Sequence, residues 1–214
     1  MLVIVASFSR FITARMLPSR TTADLLAGMW SLISGQLGAV PRRLLWDNEA
    51  GIGRRGRLAE GVAGFTGALA TRVVQAKPYD PETKGIVERA NQFPGTSFLP
   101  GRTFTAPADF NRQLAEWLPI ANARTVRVLR CRPADLAGTD RAAMLALPPV
   151  APPAGFRETV RLPRDYYVRA LGNDYSAGPA AIGRMAGVRC DLGTARVWLG
   201  GRLLASHLRA WDRQ

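Results

Sequence analysis

Residues 42–49, Arg42-Arg43-Leu44-Leu45-Trp46-Asp47-Asn48-Glu49, read as a short apolar strand that leaves its sheet in an acidic turn and runs on into the glycine-rich loop Gly51-Ile52-Gly53. The segments on either side set the fold class. Upstream, residues 2–7 and 11–17 are β-rich runs joined by Ser7-Phe8-Ser9-Arg10, which predicts two adjacent strands. After the breakers and cap of Pro18-Ser19-Arg20-Thr21-Thr22, residues 23–37 carry Leu25, Leu26, Met29, Leu32, Ile33 and Leu37 at helical spacing, and Gly38 ends the helix. Downstream, the pattern predicts a helix over 58–69, a strand over 71–76, a loop through Lys77-Pro78-Tyr79-Asp80-Pro81, and a helix over 83–92 capped by Thr83 and stopped by Pro94. A further helix over 106–122 places Phe110, Leu114, Trp117 and Leu118 on one face. Strands and helices in this order describe a mixed α/β layer fold.

The proline-rich run Leu147-Pro148-Pro149-Val150-Ala151-Pro152-Pro153 marks a domain boundary. Beyond it the pattern changes to short strands at 159–162, 166–171, 188–192, 196–199 and 202–206, with turn signals at Gly193-Thr194 and Gly200-Gly201. These read as a small β-barrel. The expected organisation is a core over 1–125, a basic and proline-rich linker over 126–154, and the barrel over 155–214.

Charge narrows the function. The 214 residues hold 29 basic and 16 acidic side chains, a net charge of +13, at an ordinary 47% hydrophobic content, so the charge belongs to a chain that folds. A strongly basic globular protein suits nucleic acid, because neutralising phosphates releases counterions. With only Lys77 and Lys84 as lysines, arginine-rich codon usage is the competing account. The balance is +4 over residues 1–46, +1 over 47–92, +3 over 93–150 and +5 over 151–214, so the acids gather in one stretch. The apolar run Leu2–Ala6 is too short to cross a bilayer, and no membrane partner is expected. Cys131 and Cys190 lack the spacing of a zinc site or disulfide framework. The chain therefore reads as soluble and cytoplasmic, nucleoid-associated when bound to DNA.

Asp47 follows a buried strand, a position from which a carboxylate can reach a crevice and hold a divalent cation; it is equally an ordinary turn residue. Glu88 lies on a predicted helix four residues after Lys84, which allows a surface ion pair as well as a site role. Residues 124–132 interleave Arg124, Arg127, Arg130 and Arg132 with Val126, Val128 and Leu129, which fits either a solvated connector or a phosphate-contacting segment. His207, Ser7 and Ser9 have no triad around them, and Trp117, Trp198 and Trp211 read as core aromatics.

Taken together, Asp47-Asn48-Glu49, the Lys84-Gly85-Ile86-Val87-Glu88-Arg89 helix, Ser7-Phe8-Ser9-Arg10-Phe11, Pro41-Arg42-Arg43-Leu44, Lys77-Pro78-Tyr79 and the 97–102 stretch resemble the retroviral-integrase-like DDE transposases, and among them the IstA-type insertion-sequence enzymes. Asp174-Tyr175-Ser176 and the hairpin over 197–207 resemble the small β-barrel that follows the core in this family and in Mu-type transposases. The resemblance implies an RNase H-like mixed sheet in which two aspartates and a glutamate hold two Mg²⁺ ions for attack on a DNA phosphodiester, the reaction of transposition and DNA integration. It assigns Asp47 and Glu88 as catalytic and metal-holding residues and Lys84 and Arg89 as DNA contacts. It also implies transposon-end and target DNA, a homo-oligomer and an ATPase helper as partners.

The family's first aspartate lies on a strand before the two that open this sequence. Asp24, Glu49 and Glu60 sit in the wrong elements to replace it. The expectation is an incomplete sheet with its first strand missing and a catalytically inert chain with a poorly stable N-terminal part. A non-catalytic DNA-binding remnant is the alternative; a basic RNA-binding protein fits the charge but leaves Asp47 and Glu88 unexplained.

Overall fold

A computed structural model of the chain describes residues 1–46, 50–54, 56–75 and 92–211. Its N-terminal part begins with the antiparallel pair β1 (Leu2–Val5) and β2 (Ile12–Arg15), in which Val5 faces Ile12 and Leu2 faces Arg15. Both faces of this hairpin are covered. Leu2 and Ile4 pack on helix α1 (Thr22–Leu32), whose Met29 and Leu32 are fully buried. Val3, Val5, Ile12 and Ala14 pack with Phe98 and with Leu114, Trp117 and Leu118 of helix α3 (Pro107–Ala123).

Helix α1 starts where the sequence places its cap, with the Thr21 hydroxyl accepting from the Asp24 N–H. Its last five residues, Ile33–Leu37, widen into a π-turn that Gly38 closes in the left-handed region at φ 75°. The strand that opened the reading is β3 (Arg43–Trp46), and it pairs in parallel with β6 (Arg72–Gln75), joined through a short hairpin, β4 (Gly53–Arg54) and β5 (Arg57–Leu58), and helix α2 (Val62–Ala68). Leu44, Trp46 and Val73 bury against the same apolar cluster as Leu2 and Ile4, so both strand pairs rest on α1.

Two features of the middle region differ from expectation. The helix expected over 83–92 lies, but for Gln92, outside the described residues; a helical run over 92–97 follows, with Pro94 in its first turn and the Pro94 carbonyl accepting from the N–H groups of Phe98 and Leu99. The stretch 126–154, expected as a linker, holds helix α4 (Pro133–Ala143). Pro133 at the first helical position is compatible with a helix start because its missing N–H would have no partner there. The chain after α4 packs on the first core through Met144, Leu145 and Leu147, and Leu145 bridges Val40.

The C-terminal part is a four-stranded antiparallel sheet in the order β12-β11-β10-β7 (Arg202–Leu208, Thr194–Leu199, Met185–Cys190, Phe156–Arg161), with a separate hairpin of β8 (Tyr167–Ala170) and β9 (Asn173–Ser176). Gly200 and Gly201, at φ 54° and 85°, make the two-residue turn between β11 and β12 that the sequence signals. Ala186, Val188, Cys190, Ala195 and Val197 fill the inner face. No described helix is long and apolar enough to cross a membrane.

The two parts are joined by a buried ion pair. Asp24 and Arg209 meet through two bonds of 2.5 and 2.8 Å, and Asp24 also accepts from the Ser19 hydroxyl at 2.6 Å. Only 1% of the Asp24 side chain and 4% of the Arg209 side chain remain exposed.

Candidate nucleic-acid interface

The sequence-predicted residues fall into two groups. Asp47, Lys84, Glu88 and Arg89 lie outside the described residues. Among the described residues no three His, Cys, Asp or Glu side chains come together as a metal site.

The four arginines of the 124–132 stretch are described, and they divide. Arg124 closes α3: it donates to the Ala121 carbonyl at 2.7 Å and lies over the Phe93 ring at 3.7 Å, and burial lowers its pKa. Those bonds make it a packing residue. Arg127 and Arg130 are exposed on a tight turn bridged from Val126 to Cys131, beside Val128, which is 82% exposed; Arg132 is exposed at the start of α4.

A stronger basic feature lies elsewhere. On the outer face of the C-terminal sheet, Arg157 of β7 sits opposite Arg189 of β10, and Arg189 opposite Arg196 of β11. Strands lie about 4.8 Å apart, so the three Cα atoms form a row spanning about 10 Å. Strand alternation places them outward, because Val188, Cys190, Ala195 and Val197 take the inward positions. Like charges directly opposite one another on a sheet are destabilising. Among the described residues the row's one ion pair joins Arg196 to Asp191 at 3.3 Å.

That pairing is itself diluted. Asp191 also accepts from the Gly193 and Thr194 N–H groups and the Thr194 hydroxyl, holding the β10–β11 turn. Partial burial opposes its ionised form, but these bonds and Arg196 outweigh it and leave its pKa below the ordinary value. The carboxylate is occupied by its own turn, and the row keeps an excess of positive charge.

Trp198 joins this face, contrary to its expected place in the core. It lies on β11 two residues after Arg196, past a register shift between Val197 and Trp198, and Arg189 sits 5.6 Å from its ring. A phosphate-rich ligand laid across the strands would meet the guanidinium row and the edge of an aromatic ring together. Buried Cys190 lies beneath, its thiol pushed up to about 11 by burial and so unreactive near neutral pH. His207 is structural in the same domain, its Nε2 lying 2.7 Å from the Ser176 carbonyl and bracing β12 against β9.

Single-sequence reading missed Arg157, Arg189 and Arg196 because each lies on a different strand. The usable signal was their period-2 placement beside small apolar residues; the row emerges only once the register is known.

Comparison with known proteins finds similarity in this domain and across the chain. Residues 147–214 match the family described as Mu transposase, C-terminal domain. A chain of the cryoEM structure of the simian T-cell lymphotropic virus intasome in complex with PP2A regulatory subunit B56 gamma is similar over 99% of this chain and 69% of its own, at 18% identity and a TM-score of 0.52. The catalytic core domain of BIV integrase covers 66% of this chain and 86% of its own, at 18% identity and a TM-score of 0.49. No curated protein matches the sequence. The first of these structural likenesses speaks to the fold, a mixed α/β part followed by a β-rich part, and the family match falls on the segment that carries the arginine row.

Proposed function

We propose that the chain belongs to a DNA transposase of the IstA type, with an RNase H-like catalytic part and a barrel-like C-terminal domain that grips DNA through its backbone. The observation that carries this reading is the in-register row of Arg157, Arg189 and Arg196 inside the segment that matches a transposase domain. Guanidinium groups bond phosphate oxygens in bidentate fashion, and a row of them gives affinity without base specificity.

In this reading Asp47 and Glu88 are the catalytic carboxylates that would hold Mg²⁺, and Lys84, Arg89, Arg127, Arg130 and Arg132 add DNA contacts. Bound metal would supply the activation of water or a 3′-hydroxyl for attack on the phosphodiester. Transposon-end and target DNA, further copies of the chain and an ATPase helper are the corresponding partners.

The test is duplex-DNA binding by the full chain across a salt series, with Arg157, Arg189 and Arg196 changed together to glutamine. Loss of three phosphate contacts is expected to flatten the slope of log affinity against log salt by about 2.7. An unchanged slope would move the interface off this sheet. A non-catalytic DNA-binding role would use the same row without Asp47 or Glu88. Glu88→Gln, placed in a chain competent for strand transfer, separates the two: loss of product with DNA affinity retained supports catalysis, whereas loss of binding makes Glu88 structural.

A further inference from the structure

Two tight turns repeat one backbone device. Between β1 and β2, the Ala6 N–H donates to the Phe11 carbonyl at 2.9 Å and the Arg10 N–H donates back to the Ala6 carbonyl at 3.0 Å. Between α3 and α4, the Val126 N–H donates to the Cys131 carbonyl at 2.9 Å and the Arg130 N–H to the Val126 carbonyl at 2.8 Å. The enclosed segments are Ser7-Phe8-Ser9-Arg10 and Arg127-Val128-Leu129-Arg130. Each ends in an arginine in the left-handed region, at φ 62° and 52°. Each carries an exposed apolar side chain in second place, Phe8 at 53% and Val128 at 82%.

Both features run against local preference. Glycine or asparagine takes a left-handed turn position with less strain than arginine, so at neither place does the backbone call for a guanidinium. Nor does a loose loop leave Phe8 outside. Ser9 beside it is fully buried, its N–H bonded to Asp140 of α4 at 3.0 Å and its hydroxyl accepting from the Phe11 N–H at 3.1 Å. The fold holds Phe8 out and supplies no acceptor for Nη1 of Arg10. Val128 is held out in the same way, because the Leu129 N–H is bonded to the Val126 carbonyl at 3.0 Å and Leu129 turns half inward.

The turns lie at one end of the N-terminal layers. Asn122, one residue before the end of α3, bonds to Ile12 beside the first turn, and Asp140 of α4 bonds to Ser9 within it. The second turn is the connection between those two helices. This is the end at which β3 begins, opposite to Trp46, since Arg42 reaches the Ala143 carbonyl at the end of α4. Among the described residues no carboxylate pairs with Arg10, Arg127 or Arg130.

We infer that the two turns form a second DNA-contacting surface, in which Phe8 and Val128 press into the minor groove as apolar wedges and Arg10, Arg127 and Arg130 hold the adjoining phosphates. One exposed apolar side chain is ordinary on a surface; two in the same backbone setting, each followed two residues later by a left-handed arginine, are a repeated device. An apolar tip among unpaired cations suits a partner that is anionic outside and apolar within. Duplex DNA has that build, with phosphates outside and stacked bases inside, and wedges of this kind part adjacent bases and kink the duplex. The core of a protein interface is depleted of charge, which makes another protein the poorer fit. The inference rests on the DNA-binding reading and adds to it a surface apart from the arginine row.

Its test uses the full chain and a duplex carrying 2-aminopurine at successive steps, whose fluorescence rises when stacking is lost. Binding is expected to raise that fluorescence about twofold or more. Phe8→Ser with Val128→Ser is expected to abolish the rise at an unchanged unfolding midpoint and an unchanged salt slope of affinity, because both side chains are largely exposed and neither is charged. Arg10→Gly with Arg130→Gly keeps the left-handed backbone and removes two phosphate contacts, so the slope is expected to flatten by about 1.8 at a midpoint that does not fall. Glutamine at 157, 189 and 196 is expected to leave the rise in place at saturating DNA. DNA bound without a rise, or a rise that survives the serine pair, would overturn the wedges and leave the DNA reading standing; no DNA binding at all would sink both. A lower midpoint with an unchanged slope in the glycine pair would make these arginines parts of the fold and overturn their role as contacts. Binding to phosphatidylglycerol vesicles that needs Phe8 and Val128, with no rise on DNA, would make an anionic membrane the partner instead.

Discussion

Arginine does opposite work in the two parts of the molecule. In the N-terminal layers it is tied to the fold: Arg42 donates to the Ala143 carbonyl at 2.9 Å, Arg141 to the Leu37 carbonyl at 2.6 Å, Arg15 to the Ser31 hydroxyl at 2.8 Å and Arg124 to the end of its own helix. On the C-terminal sheet, Arg157 and Arg189 lie beside other arginines with no described carboxylate in ion-pair reach. The first kind of arginine satisfies backbone acceptors and holds segments together. The second raises the electrostatic energy of the free protein and is repaid only when an anion arrives. Net charge alone, +13, does not separate them.

The largest expected effect breaks the comparison at its one crossing point. Arg209 belongs to the C-terminal part, yet its guanidinium is buried on Asp24 in the first turn of α1. Asp24→Asn would leave a buried cation without its counter-ion, and removal of one partner of such a pair costs about 3–5 kcal/mol. Urea unfolding of the full chain measures this. The paired change Asp24→Leu with Arg209→Met should be much milder, because no charge is stranded. A loss below about 1 kcal/mol for Asp24→Asn would class the pair with surface ion pairs.

Next in size is the bond that Asn122 of α3 makes to the outer edge of β2. Asn122 is 2% exposed and satisfies both backbone groups of Ile12. Asn122→Ala leaves a buried donor and acceptor unpaired, at a cost of about 1–3 kcal/mol in the same unfolding experiment. An unchanged midpoint would mean that water replaces the amide.

What could be read from the sequence follows the physics of each element. The β1–β2 pair, α1, β3, β6 and α3 carry strong periodicity, and their predicted and observed ranges agree closely. The helix Pro133–Ala143 was hidden because its prolines and arginines look like linker, although Pro133 with Asp135 two residues later is an acceptable helix start. Strand β8 was legible within 166–171, but its partner β9 was hidden because the turn puts Leu171 at φ 54° beside Gly172, and leucine gives no turn signal. The C-terminal sheet's strands were legible one by one. Their register was not, and with it went the arginine row and the outward position of Trp198. The buried Asp24–Arg209 pair joins residues so far apart that no local pattern announces it.

The smaller effects concern the row itself. Changing Arg189 to glutamine removes two like-charge contacts at once, and is expected to raise stability by up to about 1 kcal/mol while lowering DNA affinity. That opposite movement of stability and binding is what distinguishes it from Asn122→Ala; a loss of stability would mean that the Arg189–Trp198 contact outweighs the repulsion.

The smallest effect is pH-dependent and rests on Asp191. Its carboxylate has an ordinary pKa of 3.8 and a lower one in the folded chain, where the turn N–H groups, the Thr194 hydroxyl and Arg196 overcome the opposing effect of burial. The folded state therefore binds the proton less readily than the unfolded state. The resulting stabilisation is fully present above the unfolded value and is lost as pH falls through the folded one. The unfolding midpoints of the unsubstituted chain and Asp191→Asn should differ at about pH 6 and converge at about pH 2. Because Arg196 shares that carboxylate, Arg196→Gln should narrow the gap at the higher pH, as expected if the row draws on the turn's only anion. A gap that stays constant across the range would assign the turn's stability to its hydrogen-bond geometry and leave Arg196 as unneutralised as its two neighbours.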